Sequence, residues 1–155
     1  MRSINHYTDF ANAEKLASSY DAVISLGFKL DDSVFGACSK RLFLDFADIT
    51  LDQVAICGGE DKVDFADAPK EEHILSIIDF ARKLEPSDKL LVHCVSGYRR
   101  SPAGVIIARC ERDNISVEQA EAGIAELRVP DKLVPDPNSI MLRLYELIKH
   151  KNAKH

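Results

Sequence analysis

Residues 89–94, with the sequence KLLVHC, constrain the fold of this chain more than any other segment. The run is short and nearly all apolar, which is typical of a strand buried on both faces of a mainly parallel sheet. Such sheets occur in α/β proteins, in which helices cover both faces. Ligands bind there where the carboxyl ends of strands meet the N-termini of helices. The segment that follows residue 94 is therefore the place where a site is expected.

Helices and strands alternate along the rest of the chain, and no internal repeat or linker is visible. β-Branched residues predict a strand over 21–28, and a second strand is predicted over 41–46. The spacing of isoleucines predicts an amphipathic helix over 69–84. Further helices are predicted from a cap at Thr8 to about Ser19, from Ser101, from a capping box at Ser116 and Gln119, and over 139–150.

This alternation predicts an α/β fold, with a central mainly parallel sheet flanked by helices, in one domain spanning residues 1–155. The apolar share of 46% and charged share of 29% are those of a globular protein in water. No apolar run approaches the ~20 residues of a membrane span, and the N-terminus lacks a signal-peptide core. We therefore expect a cytoplasmic protein without a membrane partner. The oligomeric state stays open.

The charge and the cysteines exclude several other classes. A net charge of −5 argues against a nucleic-acid partner held by bulk charge. None of the cysteines makes a CxxC pair, so we expect no metal site and no other cofactor. In a reducing cytoplasm they need not form disulfides. The four are Cys38, Cys57, Cys94 and Cys110.

The 94–100 loop, which joins the apolar strand to the helix predicted from Ser101, has the composition of an anion site. Several backbone N–H groups can point inward there, with the helix dipole behind them. Gly97 allows a tight turn, and Arg100 offers a planar fork able to hold two oxygens of a phosphate. The same positive field favours the thiolate form of Cys94, which is the nucleophilic form. The loop thus combines an anion cradle with a nucleophile.

The segment HCVSGYRRS, at residues 93–101, fits every defined position of the HCxxGxxRS signature of cysteine-dependent protein tyrosine and dual-specificity phosphatases. The chain resembles compact dual-specificity-like members of this family. The segments LFLDFADI, EEHILSIIDFAR, LLVHC and VPDPN occur in the same order. The resemblance implies the phosphatase fold and hydrolysis of phosphate monoesters.

By this resemblance Cys94 is the nucleophile that takes the phosphoryl group as a thiophosphate. Ser101 hydrogen-bonds the sulfur and helps it leave when water attacks, while His93 orients the loop. The general acid that protonates the leaving group is expected at Asp48, with Asp45 as the second choice. The phosphate cradle is expected from the backbone and side chains of Val95, Ser96, Gly97, Tyr98, Arg99 and Arg100.

The expected partner is a phosphorylated protein, with phosphotyrosine as the default, or a small phosphomonoester. Phosphoinositides, nucleotides or RNA 5′-phosphates are alternative substrates, because related enzymes have diverged in that way. Rhodanese-like or arsenate-reducing chemistry and a catalytically silent phosphate-binding module are the rival functions. Arg99 either recognises a further negative charge on the substrate or faces solvent. Cys57 is a conceivable redox partner of Cys94, although nothing in the sequence places it nearby.

Overall fold

The structure is a computed structural model that describes residues 2–49 and 67–153. Four parallel strands form one sheet in the order β1-β4-β2-β3. The strands are β1 (Ile4–Thr8), β2 (Ala22–Leu26), β3 (Lys40–Leu44) and β4 (Lys89–His93). Val92 of β4 pairs in register with Tyr7 of β1 and Ile24 of β2. The parallel sheet and the interior position of β4 confirm the predicted fold class.

Within the residues that the structure describes, five α-helices lie between and after the strands. They are α1 (Phe10–Leu16), α2 (Glu71–Lys83), α3 (Arg100–Asp113), α4 (Val117–Glu121) and α5 (Ser139–Ala153). Short 3-10 helices cover Ala17–Ser19, Asp32–Val34 and Ile124–Leu127. The predicted helices over 69–84 and 139–150 thus exist with slightly different ends. The predicted capping box is confirmed, since Ser116 Oγ accepts from Gln119 N and Gln119 Oε1 accepts from Ser116 N.

Both faces of the sheet are covered, because successive strand side chains point to opposite sides. Ile24 and Val92 belong to the core cluster formed with α2, α3 and α5. Val23 and Leu91 belong to a second cluster that includes Ala13 of α1. All four strand residues are at most 1% exposed. The apolar character of the two inner strands follows from this burial on both sides.

The predicted helix that ends near Ser19 is present as α1 and the 3-10 helix Ala17–Ser19, but the predicted cap at Thr8 was wrong. Thr8 is the last residue of β1 rather than a helix cap, and its hydroxyl donates to Val129 O. Asp9 caps α1 instead, because its Oδ1 accepts from Asn12 N at 2.8 Å. The polar sequence of β1 hides its strand character, since the buried Asn5 finds a hydrogen-bond donor in Arg112, far along the chain.

The other predicted strands are shorter than expected. Strand β2 ends at Leu26, because Gly27 adopts a positive φ of 84° that turns the chain. Strand β3 covers Lys40–Leu44 rather than 41–46. Within the two described ranges, no helix is long and apolar enough to cross a membrane. The same residues contain no cluster of His, Cys, Asp and Glu suited to a metal ion.

Candidate active site

Cys94 lies directly after β4, at the carboxyl edge of the sheet, and the 94–100 loop leads from it into α3. The residue is only 1% exposed. Its Sγ accepts a hydrogen bond from Gly97 N at 3.2 Å and lies 3.3 Å from Ser101 Oγ. The Ser101 hydroxyl can also donate to Thr8 O, at 3.4 Å. The sulfur therefore lies at the floor of the loop, where it accepts from Gly97 N and can donate to Ser101 Oγ.

The carbonyl groups of residues 95–99 all accept hydrogen bonds from donors outside the loop. A loop with its carbonyls turned outward leaves its N–H groups free to face its centre, and that of Gly97 points at Cys94 Sγ. Such an arrangement is what an anion nest requires. The outer donors are Phe10 N to Val95 O (3.0 Å), Arg128 Nη2 to Ser96 O (3.3 Å), Arg128 Nε to Gly97 O (3.1 Å), Asp136 N to Tyr98 O (3.1 Å) and Asn138 N to Arg99 O (2.9 Å).

Arg128 holds the outer side of the loop, and it was not among the residues predicted from the sequence. Its side chain is 8% exposed, and Nη2 lies 3.3 Å from Asp9 Oδ2. Gly97 packs close to the same region: its φ is 67°, and a Cβ would lie 2.6 Å from Asp9 N. No local motif marks Arg128, because its partners are backbone carbonyls about 30 residues earlier in the chain.

Arg100 reaches across the loop toward the segment that carries Asp48. Its Nη1 donates to Phe46 O at 2.7 Å, and its guanidinium lies over Gly27. Its Nε is buried without a hydrogen-bond partner among the described residues. At the N-terminus of α3 the side chain of Arg99 makes no capping hydrogen bond with the described residues. The positive end of the α3 dipole and the Arg100 Nε without a described partner thus both lie at the start of α3.

His93 is fully buried behind the loop. Its Nε2 lies 2.7 Å from Ser25 Oγ, and its Nδ1 lies 3.3 Å from Cys94 O. Because a carbonyl only accepts, Nδ1 carries the proton and Nε2 accepts from the serine. Burial lowers the pKa of His93 to about 4, the bond to Cys94 O opposes this, and Arg100 adds to the lowering. A neutral ring therefore joins the end of β2 to the start of the loop.

Of the two candidate acids, the structure brings Asp48 to the loop. Its Oδ1 accepts from Asn138 Nδ2 at 2.8 Å, and its Oδ2 lies 3.7 Å from Arg99 Nε. Asp45 is exposed, and its negative charge acts to raise the pKa of His73 in α2. Arg99, for which the sequence left two roles open, lies between Asp48 and Asp136, at 3.6 Å from the latter.

Tyr98 and Asn138 also lie beside the loop. Tyr98 is partly buried, with its ring centroid 5.7 Å from the guanidinium carbon of Arg99. Asn138 was missed by residue-level reasoning, although it ends the VPDPN segment that carries part of the resemblance. Cys38 and Cys110 are buried free cysteines, and Cys57 lies outside the described residues.

No family model matches the sequence, and no curated protein matches it significantly. Solved structures do match along nearly the whole chain. PTPMT1 shares 18% identity at a TM-score of 0.61, covering 98% of this chain and 96% of that one. A human tyrosine phosphatase-like serine/threonine/tyrosine-interacting protein shares 17% at 0.59, covering 94% and 87%. The phosphatase domain of Yvh1 from Chaetomium thermophilum shares 19% at 0.57, covering 96% and 92%.

These structures are similar to the chain in the fold on which the site is built. The chain combines their architecture with the HCxxGxxRS residues at the carboxyl edge of its parallel sheet. The predicted fold is thereby confirmed: this chain has the fold of the cysteine-dependent tyrosine and dual-specificity-type phosphatases.

Proposed function

We propose that this chain is a cysteine-dependent phosphatase, a single catalytic domain over residues 1–155 that hydrolyses phosphate monoesters. The observation that carries the proposal is the outward turn of the carbonyls of residues 95–99, each held by a donor outside the loop. In this proposal the N–H groups, the start of α3 and Arg100 surround the phosphate above the buried Cys94 sulfur. A tetrahedral dianion matches such a site in charge and hydrogen bonding.

In the first step the Cys94 thiolate attacks phosphorus. An S–P bond forms, the bond from phosphorus to the leaving oxygen breaks, and Asp48 gives its proton to that oxygen. The Gly97 N–H and the Ser101 hydroxyl both lie within 3.3 Å of the attacking sulfur. Arg100 and the loop amides stabilise the charge that spreads over the equatorial oxygens.

In the second step water attacks the phosphoenzyme. The Asp48 carboxylate takes a proton from the water, the S–P bond breaks, and inorganic phosphate leaves. Ser101 supports this step because its hydroxyl can turn from Thr8 O to the departing sulfur. The thiolate and the protonated Asp48 are thereby restored. No step requires a metal or an organic cofactor.

The rim of the site favours an aromatic phosphoester, with phosphotyrosine in a protein as the main candidate. Phe28 is 55% exposed and Val95 is 49% exposed. Phe28 follows Gly27, over which Arg100 lies, and it packs edge-to-face on Phe10 at a centroid distance of 5.3 Å. An apolar rim of this kind is suited to the ring of an aryl phosphate. The tyrosine phosphatase-like neighbours are consistent with that substrate class.

The test is hydrolysis of 4-nitrophenyl phosphate and a phosphotyrosine peptide over a range of pH, with a chelator present. We expect turnover by the wild type, none by Cys94→Ser, and loss of the basic limb of the profile in Asp48→Asn. The chelator should have no effect. If Asp48→Asn keeps the wild-type profile, Asp48 is not the acid, and Asp45→Asn is the next variant. A folded wild type that binds phosphate without turnover would instead favour the silent binding module.

A further inference from the structure

Asn138 is fully buried, and its side chain connects three parts of the site. Its Oδ1 accepts from Met141 N at 3.0 Å, in the first turn of α5. Its Nδ2 donates to Asp48 Oδ1 at 2.8 Å and to Ile49 O at 3.0 Å. Its backbone N donates to Arg99 O at 2.9 Å, which lies in the 94–100 loop. Every hydrogen-bonding atom of the amide is therefore used.

Helix capping explains only half of this arrangement. A residue that precedes a helix needs one side-chain oxygen to accept from the first turn, and Ser, Asp and Asn serve about equally well. The bond from Met141 N satisfies that need. The Nδ2 group is not needed for the cap, and it faces the carboxylate of Asp48. An aspartate in place of Asn138 would cap the helix and set two carboxyl groups against each other.

We propose that Asn138 is a positioning residue that holds Asp48 at the edge of the 94–100 loop and selects its orientation for proton transfer. The proposal rests on the proposed function, in which Asp48 is the general acid. Asn138 fixes one carboxylate oxygen from the start of α5 while its own backbone is tied to Arg99 O. Displacement of the loop that carries Asp48 is thereby coupled to displacement of the phosphate cradle.

The effect of Asn138 on Asp48 can be separated from the effect of the charged groups around Asp48. Among the described residues, Arg99 faces Oδ2 with Nε at 3.7 Å, and Asp136 faces the other side of that guanidinium at 3.6 Å. Arg100 binds Phe46 O on the same segment. The first turn of α5 carries no acidic residue. Asn138 is thus the neutral donor to Oδ1, and its removal leaves the neighbouring charges in place.

The experiment uses Asn138→Ser and Asn138→Asp in the full chain, since both retain a capping oxygen. A weakly activated leaving group depends on the acid more than an activated one does. We expect kcat/KM for phenyl phosphate to fall about tenfold in Asn138→Ser, and that for 4-nitrophenyl phosphate to change by about twofold at most. Asn138→Asp should show the same dependence on the leaving group, because it too removes the Nδ2 donor to Asp48.

Asn5→Ser is the matched control, since Asn5 is a buried asparagine near the start of β1, at the opposite edge of the sheet. It should leave the preference between phenyl phosphate and 4-nitrophenyl phosphate unchanged. Thermal melting of each variant establishes that it is folded. If Asn138→Ser fails to fold, Asn138→Asp carries the same test, because it keeps the shape of the side chain and the bond to Met141.

The Asp48→Asn background separates this proposal from the proposed function. If Asn138 acts through Asp48, Asn138→Ser should have no further effect on phenyl phosphate once Asp48 is replaced. An equal loss in both backgrounds, with Asp48→Asn itself strongly impaired, would overturn the role of Asn138 and leave the phosphatase mechanism standing. Wild-type behaviour of Asp48→Asn on phenyl phosphate would overturn the assignment of the acid, and the role of Asn138 with it.

Discussion

A Cβ atom on Gly27 would lie 1.8 Å from Nη1 of Arg100 and 3.0 Å from Phe46 O. The end of β2 is thus shaped by the guanidinium that crosses it toward the carbonyl of Phe46. A residue outside the signature therefore determines where the signature arginine lies. The glycine is needed both for this close approach and for its φ of 84°.

The first prediction concerns Gly27→Ala. The added methyl group should displace Arg100 and lower kcat/KM for 4-nitrophenyl phosphate by about a hundredfold. Gly123→Ala is the control, because Gly123 has a similar φ of 73° but no described heavy atom would lie within 4 Å of its added Cβ. Both variants bear the backbone strain of about 1–2 kcal/mol, so only the clash distinguishes them. Equal activity of the two variants would contradict the role of Gly27.

The second prediction concerns Arg128, which binds Ser96 O, Gly97 O and Asp131 O and pairs with Asp9. Arg128→Ala should lower the free energy of unfolding by about 3 kcal/mol or more, because it leaves buried acceptors and a carboxylate unpaired. Arg128→Lys should rescue little, since one ammonium cannot replace the planar fork.

Urea unfolding measures the contribution of Arg128 to stability. The affinity for inorganic phosphate measures its contribution to the shape of the 94–100 loop. The exposed Arg143 gives the control variant Arg143→Ala, which should match the wild type in stability. A stable Arg128→Ala protein with wild-type phosphate affinity would show that the 94–100 loop does not depend on the hydrogen bonds from Arg128.

The third prediction is a dependence of stability on pH that arises at His93. Burial lowers the pKa of His93 to about 4 from 6.5, so the unfolded chain binds the proton more readily between these values. The stability that depends on a neutral His93 is fully present above pH 6.5, and it is lost as the pH falls from 6.5 toward 4. Acidification from pH 7 to pH 5 should therefore lower the free energy of unfolding by about 2 kcal/mol through His93.

Urea unfolding at these two pH values checks the effect, with His93→Asn compared with the wild type. The variant should be less stable at pH 7 but lose less stability on acidification. His150→Asn, at an exposed position of α5, should keep the wild-type dependence. His6 and His73, whose pKa values are also lowered by burial, contribute equally to all three proteins. An unchanged dependence in His93→Asn would refute the assignment.

The fourth prediction concerns the apolar rim. Phe28→Ala should lower kcat/KM for phenyl phosphate by about fivefold relative to that for an alkyl phosphate such as propyl phosphate, because only the aryl ring contacts the aromatic side chain. Leu147→Ala is the control, since Leu147 is 48% exposed on α5. A parallel loss for both substrates in Phe28→Ala would mean that this side chain does not select aromatic esters.

The elements nearest Cys94 could be predicted from the sequence because their information is local. The apolar run that forms β4, the glycine of the 94–100 loop and the turn into α3 lie within about 25 residues. The expected interior strand and parallel sheet were confirmed, as was the capping box at Ser116. Each of these features depends on neighbours in the chain, so a pattern of residue types suffices to indicate it.

The edge strand β1 could not be predicted, because its residues are polar and find their partners elsewhere. The buried Asn5 accepts a hydrogen bond from Arg112, and Thr8 donates to Val129 O. A helix cap and a strand end have the same residue preferences at a threonine, so only the pairing with β4 decides between them. The structure of Ile4–Thr8 therefore depends on tertiary contacts.

The sequence by itself determined that a cysteine ends a buried parallel strand, that a glycine and an arginine follow it, and that a helix comes next. Only the tertiary structure decided how the loop is held. Arg128, Asp136 and Asn138 donate hydrogen bonds to its carbonyl groups. Gly27 lacks the Cβ atom that would clash with the guanidinium of Arg100. Each of these contacts joins residues at least 30 positions apart, with no periodicity between them. Hydrogen bonds across such separations are specified by the packing of the whole sheet, which no short segment encodes.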